Sequence, residues 1–210
     1  MKLSIRKARA SDSIKIFRWR SSEEAVKNSF SPGPSSYEAH NEWFKKQLQN
    51  PQSHMYIGQV GSFKQEIGVI RFDISEEHNC KVSITIDPAW RGKRLSSPLI
   101  DAGIARISRR FDVIFLAEIK KKNLASRKCF ENCGFTLYNI KANKLLYVNK
   151  QVLIDKIESV RTRNNVNWMN LMRLAFKVAP HEAEQIFEQI NQDDNSIAAL
   201  LQILTTKVSS

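Results

Sequence analysis

Residues 82–97 read Val-Ser-Ile-Thr-Ile-Asp-Pro-Ala-Trp-Arg-Gly-Lys-Arg-Leu-Ser-Ser, and no other stretch limits the fold as much. Polar and apolar residues alternate up to Asp87, as in a half-buried strand. Pro88 ends that strand, and Gly92 marks a turn. From Leu95 the apolar residues Leu99, Ile100, Gly103, Ile104 and Ile107 recur at helical spacing, which predicts a helix over Leu95–Arg110. A turn that runs into a helix start leaves several backbone N–H groups without intrahelical partners. With the helix dipole they make a cradle for a pyrophosphate. Arg91, Lys93 and Arg94 place positive charge where a polyanion would sit.

A second stretch, Asn123-Leu124-Ala125-Ser126-Arg127-Lys128-Cys129-Phe130-Glu131-Asn132-Cys133-Gly134-Phe135, follows the apolar strand Val113–Ile119. It predicts a short helix over Ala125–Cys133 closed by Gly134. Further strands are expected at Leu3–Arg6, His54–Val60, Glu66–Ile74, Lys81–Asp87, Phe135–Tyr138 and Leu145–Asn149. Helices are expected after Ser11-Asp12-Ser13, within Glu23–Phe30, and from a Ser36 cap to about Asn50. Ser31-Pro32-Gly33-Pro34-Ser35-Ser36 reads as a loop. The mixture predicts an α+β domain over residues 1–150.

Beyond Gln151 glycine is absent and Pro180 is the lone proline. Apolar residues recur at helical spacing in Val152–Val160, Trp168–Val178, Ala183–Ile190 and Ile197–Leu204, with a turn expected at Asn191–Asn195. This predicts a helical appendage of three or four short helices over residues 151–210.

The net charge of +12 is unevenly placed. Residues 1–150 hold 27 Lys and Arg against 14 Asp and Glu, and residues 151–210 hold 6 against 7. The basic part suits a nucleic acid, an acidic membrane surface, a phosphorylated small molecule, or merely a solvated face. No run of about 18 apolar residues exists to span a membrane. The basic start lacks the apolar stretch of a secretory signal. Cys80, Cys129 and Cys133 are odd in number, so a disulfide scaffold is not expected and a cytoplasmic setting is. His40, His54, His78 and His181 are scattered without a ligand spacing, so no metal is expected.

Together the two stretches resemble the GCN5-related N-acetyltransferase (GNAT) family over roughly residues 2–148. The family's acetyl-CoA loop is Gln/Arg-x-x-Gly-x-Gly/Ala between a strand and a helix, and Arg91-Gly92-Lys93-Arg94-Leu95-Ser96 occupies it. The family's Asn-x-x-Ala/Ser-x-x-x-Tyr/Phe-Glu-x-x-Gly-Phe is met by Asn123, Ser126, Phe130, Glu131, Gly134 and Phe135. The resemblance implies the GNAT fold, a mixed sheet with splayed central strands flanked by helices. It also implies acetyl-CoA as cosubstrate, held by Ile84, Thr85, Ile86, the loop residues Arg91 to Ser96, Asn123, Ser126 and Phe130. Arg94 and Ser96 depart from the family's small residues. Phe130 departs from the Tyr that protonates the departing thiolate in many relatives, which leaves Tyr138, Cys129, Cys133 or a water for that step, or a thiolate that departs unassisted.

In such a reaction a neutral amine attacks the thioester, so its proton must go to a base or a water chain. Glu118 and His78 are the leading base candidates, with Glu77 and Asp87 beside them. Backbone N–H groups of Ile84–Ile86 would stabilise the oxyanion.

Trp19-Arg20-Ser21-Ser22 with His40-Asn41-Glu42-Trp43-Phe44 resembles a narrower GNAT branch. That branch holds the ribosomal-protein acetyltransferases and the nucleotide amino-sugar acetyltransferases of the pseudaminic-acid pathway type. The resemblance implies that Trp19, Arg20, His40 and Trp43 bind the acceptor, a nucleotide-linked amino sugar of surface-glycan biosynthesis. A protein N-terminus is the alternative acceptor, and a GNAT-like binding module without activity is the alternative class. A nucleic-acid partner would account for the charge and leave both motifs unexplained. The tail resembles helical appendages on bacterial surface-glycan enzymes, which implies a homodimer or partner contact through 151–210.

Overall fold

The computed structural model describes residues 3–31 and 33–205, so Pro32 of the expected loop lies outside it. The chain divides into two compact units, one ending at Ile154 and the other beginning at Asp155.

The first unit is built on one seven-stranded sheet. Its strands are β1 (Leu3–Lys7), β2 (Ser53–Val60), β3 (Gln65–Ile74), β4 (Asn79–Ile86), β5 (Ile114–Lys120), β6 (Phe135–Lys141) and β7 (Lys144–Asn149). They lie in the order β1-β2-β3-β4-β5-β7-β6. Neighbours run antiparallel, except that β4 and β5 are parallel. The helices are α1 (Ser13–Arg20), α2 (Glu23–Asn28), α3 (Tyr37–Gln49), α4 (Ser96–Ser108) and α5 (Leu124–Asn132). A parallel pair needs a long crossover, and α4 supplies it between β4 and β5.

Side-chain alternation along the strands separates two cores. Ile70 and Phe72 of β3 and Tyr56 of β2 join Leu99, Ile100 and Ile107 of α4 and Phe130 of α5. Val69, Met55 and Ile57 point to the other face, where they meet Ile16 and Trp19 of α1 and Phe44 of α3. Gly103 lets α4 lie close on the sheet, because a Cβ there would stand 2.6 Å from the Phe72 ring. A bidentate pair pins β1 to the start of α1: Arg6 Nη1 donates to Asp12 Oδ2 at 2.8 Å and Nη2 to Oδ1 at 2.6 Å. Ser36 caps α3 as expected, accepting from the Ala39 N–H at 3.2 Å.

The C-terminal part corrects one expectation. Residues beyond 150 form two long helices, α6 (Lys150–Val178) and α7 (Pro180–Thr205), where three or four short ones were expected. The Asn-rich stretch at 164–167 separates two apolar runs, and 191–195 reads as a turn. Asn costs a helix only about 0.7 kcal/mol per residue, far less than a proline. The helix stops where Pro180 takes the first position of α7. Phe176 and Phe187 stack across that joint with ring centroids 5.4 Å apart. Asn149 seats the start of α6: its Oδ1 accepts from the Val152 N–H at 3.0 Å and its Nδ2 donates to the Cys133 carbonyl at 2.9 Å. No helix among the described residues is long and apolar enough to cross a membrane.

Candidate active site

β4 pairs with β5 through Asn79, Cys80 and Lys81 alone. From Val82 onward the β5-facing edge of β4 has no ladder partner, while its other edge stays paired with β3 as far as Ile86. A buried strand edge cannot leave its polar groups unmatched without cost, so this opening is a place for a ligand's amides. A cavity of about 400 Å³ fills it.

Of the residues expected to contact a cofactor, Ile84, Thr85, Ile86, Arg91, Gly92, Ser96, Asn123, Ser126 and Phe130 line this cavity. Leu95 precedes α4 without a side-chain cap, so the first N–H groups of that helix stay available to an anion. Gly92 has φ 74° and open space where a Cβ would stand. Asn123 also caps α5, accepting from the Ser126 N–H at 3.0 Å. The three loop cations differ in role. Arg91 is engaged: it donates to Glu24 at 2.9 Å, to the Ser22 hydroxyl at 2.6 Å and to the Ile86 carbonyl at 3.3 Å. Lys93 lies over the Trp90 ring at 4.2 Å from its centroid. Arg94 takes φ 57°, the left-handed conformation that the family's usual glycine adopts freely. Lys93, Arg94 and Leu95 do not line the cavity.

On the opposite side the sheet floor carries the rows Met55–Arg71–Ser83 and Val69–Thr85 in register. Arg20, from the last turn of α1, and Trp43, from α3, close this side. The Arg20 guanidinium carbon stands 3.9 Å over the Trp43 ring, and that of Arg71 stands 5.3 Å from the same centroid. Burial, and then the charge of Arg71, pull Arg20 down to about 10.

Two of the four expected acceptor residues do not reach the cavity. Trp19 is 4% exposed and belongs to the core beneath α1. His40 is buried, stacks on Phe44 at 5.8 Å and donates from Nε2 to the Ser13 carbonyl at 3.1 Å. Its place is an anchor between α1 and α3. Aromatic and His residues on a helix read alike whether they face a groove or a core, which is why the sequence did not separate them.

The proton-transfer candidates fare differently. Glu118 lines the cavity but is held by Lys81 and by Lys144, whose Nζ donates at 2.9 Å. Burial pushes its carboxyl up, yet the two lysines outweigh that and keep it below the usual range. His78 sits on an exposed turn with φ 60°, its Nδ1 beside the Glu76 carbonyl at 3.2 Å. Tyr138 lies at a bulge in the edge strand β6, 71% exposed. Neither His78 nor Tyr138 lines the cavity. Asp87 spends its carboxylate as a turn cap, accepting from the Ala89 N–H at 2.9 Å. Phe130 is 2% exposed, edge-on to Phe135. Cys129 lines the cavity beside Ser97, whose Oγ lies 3.5 Å from its Sγ. A hydrogen bond with Cys133 lowers the Cys129 thiol and raises that of Cys133.

Arg71, Lys81 and Ser83 also line the cavity, and the sequence reading did not name them among its candidates. A signal existed. Arg71 is the one charged residue within the apolar run Ile67–Phe72, and it shares a face with buried Val69, where the alternation calls for another core residue.

A family model described as Acetyltransferase (GNAT) domain matches residues 2–136. This chain belongs to the GNAT acetyltransferase family. It is an N-acetyltransferase and its cosubstrate is acetyl-CoA. No curated protein matches it. Solved structures do. Spermidine N-acetyltransferase from Vibrio cholerae, in complex with CoA and spermine, is 16% identical with a TM-score of 0.63, covering 72% of this chain and 98% of that one. An aminoglycoside acetyltransferase in complex with coenzyme A is 14% identical with a TM-score of 0.63, covering 73% and 98%. At such identity the likeness speaks for the fold, and the amines named belong to those proteins. Among the described residues no cluster of His, Cys, Asp and Glu is arranged to hold a metal ion.

Proposed function

We propose that this protein transfers the acetyl group of acetyl-CoA to the amino group of a nucleotide-linked amino sugar. The observation that carries this reading is the Arg20–Trp43 pair, which lines the same cavity as the free edge of β4. A guanidinium suits a diphosphate, and an indole suits a base or sugar ring.

Acetyl-CoA supplies an activated thioester. Its pantetheine amides fit the unpaired edge of β4 from Val82 to Ile86, and its pyrophosphate fits the uncapped start of α4 with Gly92 beside it. The β4 backbone N–H groups are the donors for a developing oxyanion. Asn123, Ser126 and Phe130 form the facing wall. Glu118, ionised and paired, is a weak base, so we assign the amine proton to water bound on the Ser83–Thr85 side of the cleft. Phe130 has no proton to give the thiolate, and Cys129 is the nearby cavity residue with a titratable thiol.

We assign residues 1–150 to catalysis and residues 151–210 to contact with a second copy of the chain. Along α6 and α7 the side chains of Trp168, Leu171, Leu174, Ile186, Ile197 and Leu200 are exposed. This segment is nearly neutral, against +13 for residues 1–150, so two copies meet here without charge repulsion. Leu171→Glu with Leu174→Glu in the full chain should convert a dimer into a monomer by light scattering. A monomeric starting protein would dismiss the assignment.

The acceptor is tested by following free thiol release from acetyl-CoA with a UDP-linked 4-amino sugar and, beside it, peptides with free N-termini. Turnover of the sugar supports the proposal. Turnover of peptides alone replaces it with a protein N-terminal acetyltransferase.

A further inference from the structure

The cavity that holds the acceptor has an unusual charge inventory for a site that must receive an amine. Arg20, Arg71, Lys81 and Arg91 are its cations, and Glu24 and Glu118 are its carboxylates, among the described residues. Both carboxylates are taken. Glu24 pairs with Arg91 at 2.9 Å, and Glu118 pairs with Lys81 and Lys144. Among the described residues of the cavity, no carboxylate remains free to receive a second ammonium group.

The two arginines on the acceptor side are in the opposite condition. Arg20 is half-buried, and no hydrogen bond or carboxylate partner meets its guanidinium among the described residues. The one charge close enough to perturb it is Arg71, of like sign. Arg71 is matched on one side, where its Nε donates to Asp73 at 2.9 Å, and its terminal nitrogens have no partner among the described residues. The Ser53 hydroxyl donates to the other oxygen of Asp73 at 3.0 Å and fixes it. Both guanidiniums lean on the Trp43 ring, which sets where they point. Two like charges held together in a partly desolvated place, with their hydrogen-bond donors idle, are a receptor for an oxyanion.

We infer that Arg20 and Arg71 form a two-armed clamp for an oxyanion of the acceptor, a phosphate or a carboxylate, and that the pocket thereby rejects polycationic amines. The inference rests on the cavity being the acetyl-transfer site and deepens that reading. Arg71 becomes a specificity residue. The spermidine and aminoglycoside acetyltransferases that share the fold are named for amines with several positive charges, and among the described residues this cavity has no unpaired carboxylate for such amines. An acceptor with an anion near its amine satisfies the clamp and leaves the amine less hindered by repulsion.

The test is calorimetric binding to enzyme saturated with CoA, so that the phosphate sites of the cofactor loop are occupied. UDP, inorganic phosphate and glutamate are the probes, with spermidine as the contrasting amine. At least one oxyanion probe should bind, and its affinity should fall at least tenfold in Arg20→Gln and in Arg71→Gln. Arg71→Lys should recover part of the loss, because charge returns without the forked geometry. UDP and phosphate binding without glutamate assigns the clamp to phosphate, and glutamate binding assigns it to carboxylate. Retained CoA affinity shows that the variants are folded. Equal oxyanion affinity in wild type and both variants, no oxyanion binding at all, or tight spermidine binding by the wild type would each overturn the clamp. The acceptor reading fails separately: a bound oxyanion with no turnover of the nucleotide amino sugar keeps the clamp and discards that sugar. Sugar turnover with an unchanged acceptor KM in Arg20→Gln keeps the sugar and discards the clamp.

Discussion

Lys144 donates from Nζ to Glu118 Oε1 at 2.9 Å, and Lys81 engages the other carboxylate oxygen, so the one glutamate on β5 is held from both sides. A carboxylate so paired stays ionised below its ordinary titration range. Glu118→Gln is therefore expected to lower kcat by less than tenfold and to leave the acid limb of the kcat/KM profile in place. A positioned general base is worth about 10²–10⁴-fold. A loss of that size with a vanished acid limb would make Glu118 the base.

Glu24 engages the Arg91 guanidinium in the cavity that we assign to acetyl-CoA. Glu24→Gln should tighten CoA binding a few-fold at low salt, because it frees Arg91 and removes an anion from beside the phosphates. The gain should shrink at high salt, where surface charges are screened. Titration calorimetry at two ionic strengths reads this directly, and weaker binding would mean that the bridge braces the loop.

At Arg94 the backbone has φ 57°. An L-residue there costs about 1–2 kcal/mol, partly offset by the greater unfolded-state freedom of glycine. Arg94→Gly should raise stability by about 0.5–1 kcal/mol in urea unfolding while weakening CoA binding less than tenfold, through lost charge. Tighter CoA binding at every ionic strength would show that the arginine obstructs the loop.

His40 supplies a pH dependence of stability. Burial, and then the charge of Arg20, lower it from 6.5 to about 4 in the folded chain. Between those values the unfolded chain takes a proton that the folded chain refuses. The stabilisation is whole above pH 6.5 and drains as pH falls toward 4. By pH 5 the loss is on the order of 2 kcal/mol, and His54, also lowered chiefly by burial, adds to it. His40→Leu should flatten the change in unfolding midpoint between pH 7.5 and 5. An unaltered slope would mean that His40 titrates normally.

Much of the fold was legible because its elements carry their own boundary chemistry. Ser36 before α3, Gly134 after α5 and Pro88 after β4 each mark an end by a local rule. The strand, turn and helix start that line one part of the cavity were legible for the same reason, since they lie together in sequence. The acceptor side was not. Arg20, Trp43, Arg71 and Ser83 come from four elements and meet only through sheet register and helix packing. Trp19 and His40 carry the same residue types as a binding face and turn inward. The long helices were misjudged because Asn reads as a turn former, while the absence of Gly and Pro was the stronger signal.

The division of the cleft into a cofactor side and an acceptor side is tested most directly by steady-state kinetics of Arg20→Ala with the nucleotide amino sugar. Arg20 lies over the Trp43 ring and lines the same cavity as Gly92 and Ser96. The account predicts that the acceptor KM rises at least tenfold while the KM for acetyl-CoA is unchanged. A loss confined to acetyl-CoA, or an unaltered acceptor KM, would contradict it.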